Sequence, residues 1–188
     1  MLYGLILAGG KSSRMGEDKS QLLLQGKPLL DHALDLLSAS GTDRNLISGP
    51  VEGHDFIPDL NPHSGPPGGI HSAVSFLSGE ESFKESLLVV IPVDMPFLTI
   101  EAIERLVDGI GDQNACRYEN EIFPCVFRLT STLLQHLENI FAESRMKGGD
   151  RSMRVLLDFS DARSIGVDGL PDKTFSNINT PEDRELLN

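Results

Sequence analysis

Two short, uninterrupted apolar runs limit the folds open to this chain. They are LYGLILA at 2–8 and SLLVVIPV at 86–93, and each leads directly into a loop that carries charged residues. A strand without polar alternation is typical of a parallel sheet whose two faces are both covered by helices. Segments with helical spacing, such as 28–40 and 99–110, separate the runs. The sequence therefore predicts a three-layer α/β/α fold around a mostly parallel, Rossmann-like sheet.

The remaining segments fit the same alternation of strands and helices. Glycine and proline cluster at 58–69, which predicts a loop, and Pro124 is typical of an edge strand or a bulge. Thr99 is expected to cap the helix that follows it. Further strands are predicted at 45–48, at two places within 113–128 and at 174–180, and further helices at 70–78, 130–142, 151–158 and from Thr180 onward.

Composition excludes several functional classes. A chain of 188 residues with 39% hydrophobic residues is expected to form one domain with its own core. The net charge of −12 argues against non-specific binding of nucleic acid or of an anionic membrane. The apolar runs are much shorter than the ~18–20 residues of a membrane span. Cys116 and Cys125 form no redox or metal-binding motif, which predicts reduced thiols in a cytoplasmic protein.

The loop after the first apolar run concentrates glycines and cations. In LAGGKSSRMGEDK at 7–19, three glycines stand beside Arg14 and Lys19, although acidic residues outnumber basic ones 28 to 16 in the whole chain. Glycines after a strand let backbone N–H groups approach phosphate oxygens, and the cations neutralise phosphate charge. The glycine spacing matches neither a Walker A loop nor GxGxxG. The loop is therefore interpreted as a different kind of polyphosphate site, or as a glycine-rich surface turn.

Asp94 directly follows the second apolar run, where a parallel strand ends. Ligands of open α/β sheets bind at the carboxyl ends of the strands, so a carboxylate there points to the same cleft as the glycine loop. A carboxylate together with phosphate oxygens suits Mg²⁺. An Asp two residues before a proline also initiates turns, and the residues alone leave both interpretations open.

Four segments together resemble a known family of enzymes. They are LILAGGKSSRMGEDKSQLLLQGKPLL at 5–30, PDLNPHSGPPGGI at 58–70, PVDMPFL at 92–98 and NINTPEDREL at 177–186, in that order. In this order they resemble the nucleotidyltransferases that make molybdenum dinucleotide cofactors. The Gly9–Gly10 pair and the P-x-G-P-x-x-G-I loop are similar to the guanylyltransferase branch. Two glycines also leave room for a purine against the backbone, which is consistent with GTP.

The resemblance implies both a fold type and a reaction. The fold is that of nucleotide-diphospho-sugar transferases, with a nucleotide-binding half at 1–98 and an acceptor-binding half at 99–188. The reaction transfers GMP from GTP to molybdopterin that bears molybdenum, and pyrophosphate leaves. A phosphate nucleophile is already anionic, so the chemistry requires alignment and charge neutralisation rather than a general base. Proteins that synthesise molybdopterin or mature molybdoenzymes are candidate partners.

The resemblance also implies a set of site residues. Catalysis is assigned to Arg14, Lys19 and Asp94, Mg²⁺ binding to Asp94 and Asn179, and guanine recognition to Asp59. Two arginines after the fourth helix are expected to meet the pterin phosphate. The residues implied in binding nucleotide, metal or acceptor are Leu7, Ala8, Gly9, Gly10, Lys19, Asp59, Asp94, Arg151 and Arg154.

Several alternatives remain at this point. Asn179 is also a typical turn or capping residue, and Arg151 and Arg154 also suit a solvated helix start. An asparagine expected at the end of the second strand is absent, and Ser48 and Gly49 stand there. The alternative functions are a cytidylyltransferase or another nucleotidyltransferase with a small phosphorylated acceptor, and a non-catalytic nucleotide-binding module.

Overall fold

A computed structural model describes residues 1–9, 19–147, 150–179 and 183 of the chain. The strands are β1 (Leu2–Leu7), β2 (Leu23–Leu24), β3 (Lys27–Pro28), β4 (Arg44–Ser48), β5 (Leu87–Pro92), β6 (Ala115–Tyr118), β7 (Cys125–Arg128) and β8 (Arg163–Ile165). The helices are α1 (Leu29–Ala39), α2 (Pro66–Leu77), α3 (Ile100–Gly109), α4 (Ser131–Lys147) and α5 (Met153–Phe159). None of the helices described there has the length and apolar character needed to span a membrane.

The main sheet is mixed but mostly parallel. In the described ranges it has six strands in the order β4-β1-β5-β7-β6-β8, while β2 and β3 form a separate hairpin. β1 runs parallel to β4 and β5, β7 runs antiparallel to β5 and β6, and β8 runs parallel to β6. The turn between β6 and β7 therefore lies at the same edge of the sheet as the carboxyl ends of β1, β4 and β5.

Helices cover both faces of this sheet, as the sequence predicts. On one face, α2, α4 and α5 pack against Leu5, Leu88 and Val90, and on the other face α1 and α3 pack against Ile6 and Val89. Neighbouring strand residues thus point into two different hydrophobic cores, and both cores need apolar side chains. This explains why the strands show no polar alternation. The three-layer α/β/α architecture is confirmed.

The two cysteines lie on opposite faces of the sheet. Cys116 in β6 belongs to the core beneath α1 and α3, while Cys125 in β7 belongs to the core beneath α2, α4 and α5. Both are buried and unpaired. Burial raises the pKa of each thiol, so both stay protonated. They form no disulfide because their side chains are directed into different layers.

Some sequence predictions of secondary structure are wrong. α2 begins at Pro66 rather than at residue 70, because prolines need no N–H partner in the first helical turn. Residues 174–179 form turns and irregular chain instead of a strand. The last strand of the sheet is instead β8, which the sequence analysis did not predict.

The structure also decides two smaller points. Pro124 lies just before β7, and β7 is an interior strand of the sheet, so the prediction of an edge strand is wrong. Because Pro124 is outside the strand, the N–H group that proline lacks is not needed for strand pairing. Thr99 caps α3 as predicted, because its Oγ1 accepts a hydrogen bond from Ala102 N at 3.1 Å. Thr180 and the helix predicted to follow it lie outside the described residues.

The ends of β1 and β4 are held together by an unusually close backbone contact. Ser48 O accepts hydrogen bonds from Ala8 N at 3.0 Å and from Gly9 N at 2.8 Å. Gly49 has a φ of +99°, and a Cβ added to it would lie 2.5 Å from Gly9 Cα. The contact therefore requires glycine at position 49.

We expect Gly49→Ala to destabilise the protein, because the added methyl group overlaps the Gly9 backbone in a conformation that L-residues rarely adopt. Overpacking of this kind costs about 1–3 kcal/mol of unfolding free energy. In a chain of this size each kcal/mol lowers Tm by about 2–4 °C. Thermal and denaturant unfolding measure the effect. Gly79→Ala is the matched control, since a Cβ there meets no atom within 4 Å; equal melting of the two variants contradicts the prediction.

Candidate active site

A cleft opens at the carboxyl edge of the sheet, over β1, β5 and the start of β7. We call it the central cleft; its volume is about 360 Å³. The polar and aromatic residues that line it come from four separate chain segments. They are Lys19, Asp94, Phe123, Asn177 and Asn179, beside the backbone of Gly9.

A second, larger depression adjoins the central cleft on the β4 side. This side pocket has a volume of about 600 Å³ and is lined by Ser48, Gly49, Asp59, Pro62, His63 and Gly65. Leu7, Gly9 and Pro66 line both cavities. The two cavities therefore lie side by side at the carboxyl edge of the sheet, and together they are called the groove.

Lys19 connects the acidic and amide groups of the central cleft. Its Nζ donates to Asp94 Oδ2 at 2.7 Å and to Asn179 Oδ1 at 2.6 Å. The side chains of Lys19 and Asp94 are 21% and 19% exposed, so the pair is partly shielded from water. The sequence analysis predicts that these three residues share a site, and the structure brings them into direct contact.

Backbone contacts hold the Asn179 segment against the sheet. Ile178 is fully buried, and its N donates to Asp94 O at 2.8 Å. Asn179 N donates to Asp183 Oδ2 at 2.8 Å. The segment therefore delivers Asn177 and Asn179 to the cleft although it is not a strand.

The same contacts indicate which cation the cleft can hold. Asp94 Oδ2 and Asn179 Oδ1 converge on one point, where the ammonium of Lys19 now lies. In the described ranges no group of three or more His, Cys, Asp or Glu side chains converges on a metal position. One carboxylate and one amide oxygen are hard ligands, which suit a hard divalent cation that takes its remaining ligands from phosphates and water.

The amides of the first loop are arranged differently from expectation. The N–H groups of Ala8 and Gly9 both bind Ser48 O, so they are already used within the protein. The space beside Gly9 is also occupied, because a Cβ there would meet Gly49 Cα at 3.3 Å. The room expected for a purine at Gly9 is therefore filled by the backbone of Gly49. Gly10 and Arg14, which the sequence analysis assigns to the same loop, lie outside the described residues.

The loop that carries Asp59 is fastened to α2. Leu60 N donates to Ser72 Oγ at 3.0 Å, and Asn61 Nδ2 lies 2.8 Å from His71 Nδ1. Burial lowers the pKa of His71, while the charge of Glu138 opposes the shift. His71 is therefore neutral at neutral pH, and its Nδ1 accepts a hydrogen bond from the Asn61 amide.

The two predicted arginines lie beyond the central cleft. Arg151 is exposed, and its Nη1 donates to Ser64 Oγ at 3.3 Å, next to the start of α2. Arg154 is exposed on α5. Neither guanidinium lines the central cleft or the side pocket. Asp59, by contrast, lines the side pocket, and its role in guanine recognition stays a prediction.

The structure adds cleft residues that the sequence analysis did not single out. Asn177 lies two residues before Asn179, and this period-two spacing in an extended segment was a usable signal. Phe123 and Pro66 also line the cleft. No local pattern marks Phe123, because its position depends on the antiparallel direction of β7.

Comparison with known proteins identifies the family to which this arrangement belongs. The model of the MobA-like NTP transferase domain family matches residues 4–162. A protein named molybdenum cofactor guanylyltransferase from Xanthomonas euvesicatoria is 33% identical over 180 residues, which cover 95% of this chain and 90% of that protein.

Solved structures show the same fold. Molybdopterin-guanine dinucleotide biosynthesis protein A from Archaeoglobus fulgidus superposes with a TM-score of 0.74 and 23% identity, over 98% of this chain and 96% of that one. A protein from Mycobacterium tuberculosis H37Rv, solved in complex with manganese, superposes with a TM-score of 0.64 and 18% identity, over 99% and 97% of the two chains.

We expect the unfolding free energy to fall as the pH drops below 6.5, the ordinary pKa of a histidine. The pKa of His71 is lower in the folded protein, so the unfolded chain binds the extra proton first and stability is lost towards acid pH. In His71→Gln this contribution is absent and the pH dependence is shallower. Denaturant titrations between pH 5 and 8 measure the difference. His54→Gln is the control, and a wild-type slope in His71→Gln refutes the assignment.

Proposed function

Because this chain belongs to the family of MobA-like NTP transferase domains and is a nucleotidyltransferase, we propose that it transfers GMP from GTP to molybdopterin that bears molybdenum. The products are the guanine dinucleotide form of the cofactor and pyrophosphate. One observation carries the proposal: the contact of Lys19 with both Asp94 and Asn179 in a cleft at the carboxyl edge of the sheet.

The two cavities suggest how the substrates divide the groove. The side pocket takes the guanine and ribose, with Asp59 as the residue that reads the base. The central cleft takes the triphosphate and the terminal phosphate of the acceptor. Residues 1–98 form the nucleotide-binding half and residues 99–188 the acceptor-binding half, although Asn179 reaches back from the second half to Lys19.

Mg²⁺ is the metal that this site is proposed to use, held by Asp94 and Asn179. When bound, it supplies positive charge to the phosphate groups that react and leave. Asp94 Oδ2 and Asn179 Oδ1 converge on one partly shielded position. This supports the choice of Mg²⁺, because Mg²⁺ takes most of its ligands from phosphate and water.

The residues of the chain act by position and charge. The acceptor phosphate is anionic at neutral pH, so no side chain has to remove a proton from it. The ammonium of Lys19, which bonds Asp94 and Asn179, would turn to the phosphates once a metal occupied those oxygens, and there it would neutralise the charge that develops on the departing pyrophosphate. Arg14 is assigned the same role. The nucleotide is proposed to lie against Leu7, Ala8 and Gly9, which line the central cleft. Gly10 is assigned the same role.

Arg151 and Arg154 are proposed to bind the phosphate of the acceptor. Arg151 contacts Ser64 just before α2, and Pro66 in the first turn of α2 lines the central cleft. The cytoplasm is the proposed location, which the two buried, unpaired thiols support. Proteins that deliver molybdopterin or receive the finished cofactor are the proposed partners.

The choice of nucleotide is tested directly. With Mg²⁺, GTP is expected to raise Tm more than CTP or ATP at equal concentration, because binding to the folded state adds stability in proportion to affinity. Pyrophosphate release with molybdenum-bearing molybdopterin is expected with GTP. A larger Tm shift and faster turnover with CTP would identify a cytidylyltransferase instead. No turnover with any nucleotide, despite binding, would support a non-catalytic module.

The roles of Lys19 and Asp94 are tested by removing their charges. Lys19→Met and Asp94→Asn are each expected to lower kcat by about 10²- to 10³-fold, the usual loss when one group that stabilises transition-state charge is removed. Steady-state pyrophosphate release measures the change. Lys84→Met and Asp108→Asn are matched controls, because both residues are exposed and lie outside the groove. Wild-type kcat in either cleft variant would remove that residue from the mechanism.

A further inference from the structure

Phe123 places an aromatic side chain in the wall of the central cleft, together with Lys19 and Asp94. From its position we infer that Phe123 is the stacking surface for the planar pterin ring of the acceptor, and thus a residue that determines acceptor specificity. The inference rests on the proposed function, because that function supplies an acceptor with a flat heteroaromatic ring.

Sheet topology puts Phe123 on the acceptor side of the groove. β7 begins at Cys125, which pairs with Val90 near the end of β5, so Phe123 lies just before β7 at the carboxyl edge of the sheet and lines the cleft together with Pro92. The side pocket lies at the end of β4, and β1 and β5 stand between β4 and β7. Three strand spacings of about 4.8 Å separate Phe123 from the base end of the groove by roughly 14 Å.

That separation matches the order of groups in the reaction. With guanine in the side pocket, the ribose and α-phosphate reach the central cleft over β1 and β5, and the proposed role of Lys19 directs the pyrophosphate towards Lys19 rather than along the sheet edge towards β7. The acceptor phosphate must attack the α-phosphorus from the side opposite to the pyrophosphate. The ring that belongs to the acceptor then lies towards β7, where Phe123 is the sole aromatic residue described in the cleft wall.

Burial distinguishes Phe123 from the phenylalanines that fill the core. Phe127, Phe141 and Phe83 are buried, with 0%, 3% and 5% exposure. Phe123 has intermediate exposure and packs on the margin of both hydrophobic cores. Contact with both cores holds one part of the side chain in place and leaves the other part accessible from the cleft.

The turn that carries Phe123 is closed by a buttressing side chain. Arg117 Nη1 donates to Tyr118 O at 3.2 Å and to Glu121 O at 3.1 Å. These bonds fix the path of the chain between β6 and β7 before any substrate binds. A pre-positioned aromatic ring loses little conformational freedom when a flat ligand stacks on it.

Three substitutions test the inference through the kinetics of both substrates. Phe123→Ala removes the ring, Phe123→Leu keeps a shorter apolar side chain without a π-face, and Phe123→Tyr keeps the ring. Phe76→Ala is the control, since Phe76 is 48% exposed on α2 and lies outside the groove. Pyrophosphate release gives KM for molybdenum-bearing molybdopterin, calorimetry gives Kd for GTP with Mg²⁺, and circular dichroism with Tm verifies the fold.

The expected result is a rise of roughly 5- to 100-fold in KM for molybdopterin in Phe123→Ala and Phe123→Leu, the range found when an aromatic side chain that stacks on a base is removed. Phe123→Tyr and Phe76→Ala are expected to behave as wild type, and Kd for GTP is expected to stay within twofold in every variant. If Phe123→Ala does not fold, Phe123→Leu decides the question.

Different failures have different meanings. A wild-type KM for molybdopterin in Phe123→Leu shows that the ring only fills space, and it overturns the inference alone. A parallel loss of GTP affinity assigns Phe123 to the nucleotide instead. A wild-type protein that binds GTP but releases no pyrophosphate with molybdopterin overturns the proposed function, and the inference fails with it.

Discussion

The ammonium of Lys19 lies between Asp94 and Asn179, and this contact joins three parts of the chain that are far apart in sequence. Lys19 follows the loop after β1, Asp94 follows β5, and Asn179 belongs to the segment after β8. Each group alone is an ordinary surface side chain. Together they form a partly shielded position where two oxygens and one cation meet.

The contact between the ends of β1 and β4 gives this position its shape. Ser48 O takes the N–H groups of Ala8 and Gly9, and Gly49 fits against Gly9 without a side chain between them. Gly69 in α2 approaches equally closely, since a Cβ there would lie 2.4 Å from Ser48 Oγ. These glycines therefore serve the packing of two strands and a helix, and the side pocket opens beside that packed corner.

The antiparallel direction of β7 explains why the turn between β6 and β7 lies beside the groove. If β7 ran parallel to β6, the chain would have to cross a face of the sheet to connect the two strands. Reversal of β7 instead puts a short turn at the carboxyl edge, next to the ends of β1 and β5. Phe123 thereby comes to line the central cleft, whereas Arg151 and Arg154 lie outside it.

Local patterns in the sequence were sufficient for the main elements of the fold. Continuous apolar runs predicted the doubly covered strands, and Thr99 predicted the start of α3. Local patterns did not predict the segments that are short or that are held by contacts with residues far away in the sequence. Three-residue β8 is stabilised by pairing with β6, and the 174–179 segment reaches the sheet through Ile178 rather than through strand pairing.

The sequence by itself determined the class of fold, the family, and the types of side chain that handle phosphate, since motifs record which residues are present in which order. Only the tertiary structure decided which of them meet: Lys19 with Asp94 and Asn179, Gly9 with Gly49 in place of a purine, and Arg151 with Ser64 outside the cleft. Only the tertiary structure showed that Phe123 lines the central cleft. The physical reason is that such contacts depend on strand order and direction, which are set by the packing of the whole sheet and leave no periodic trace in the chain.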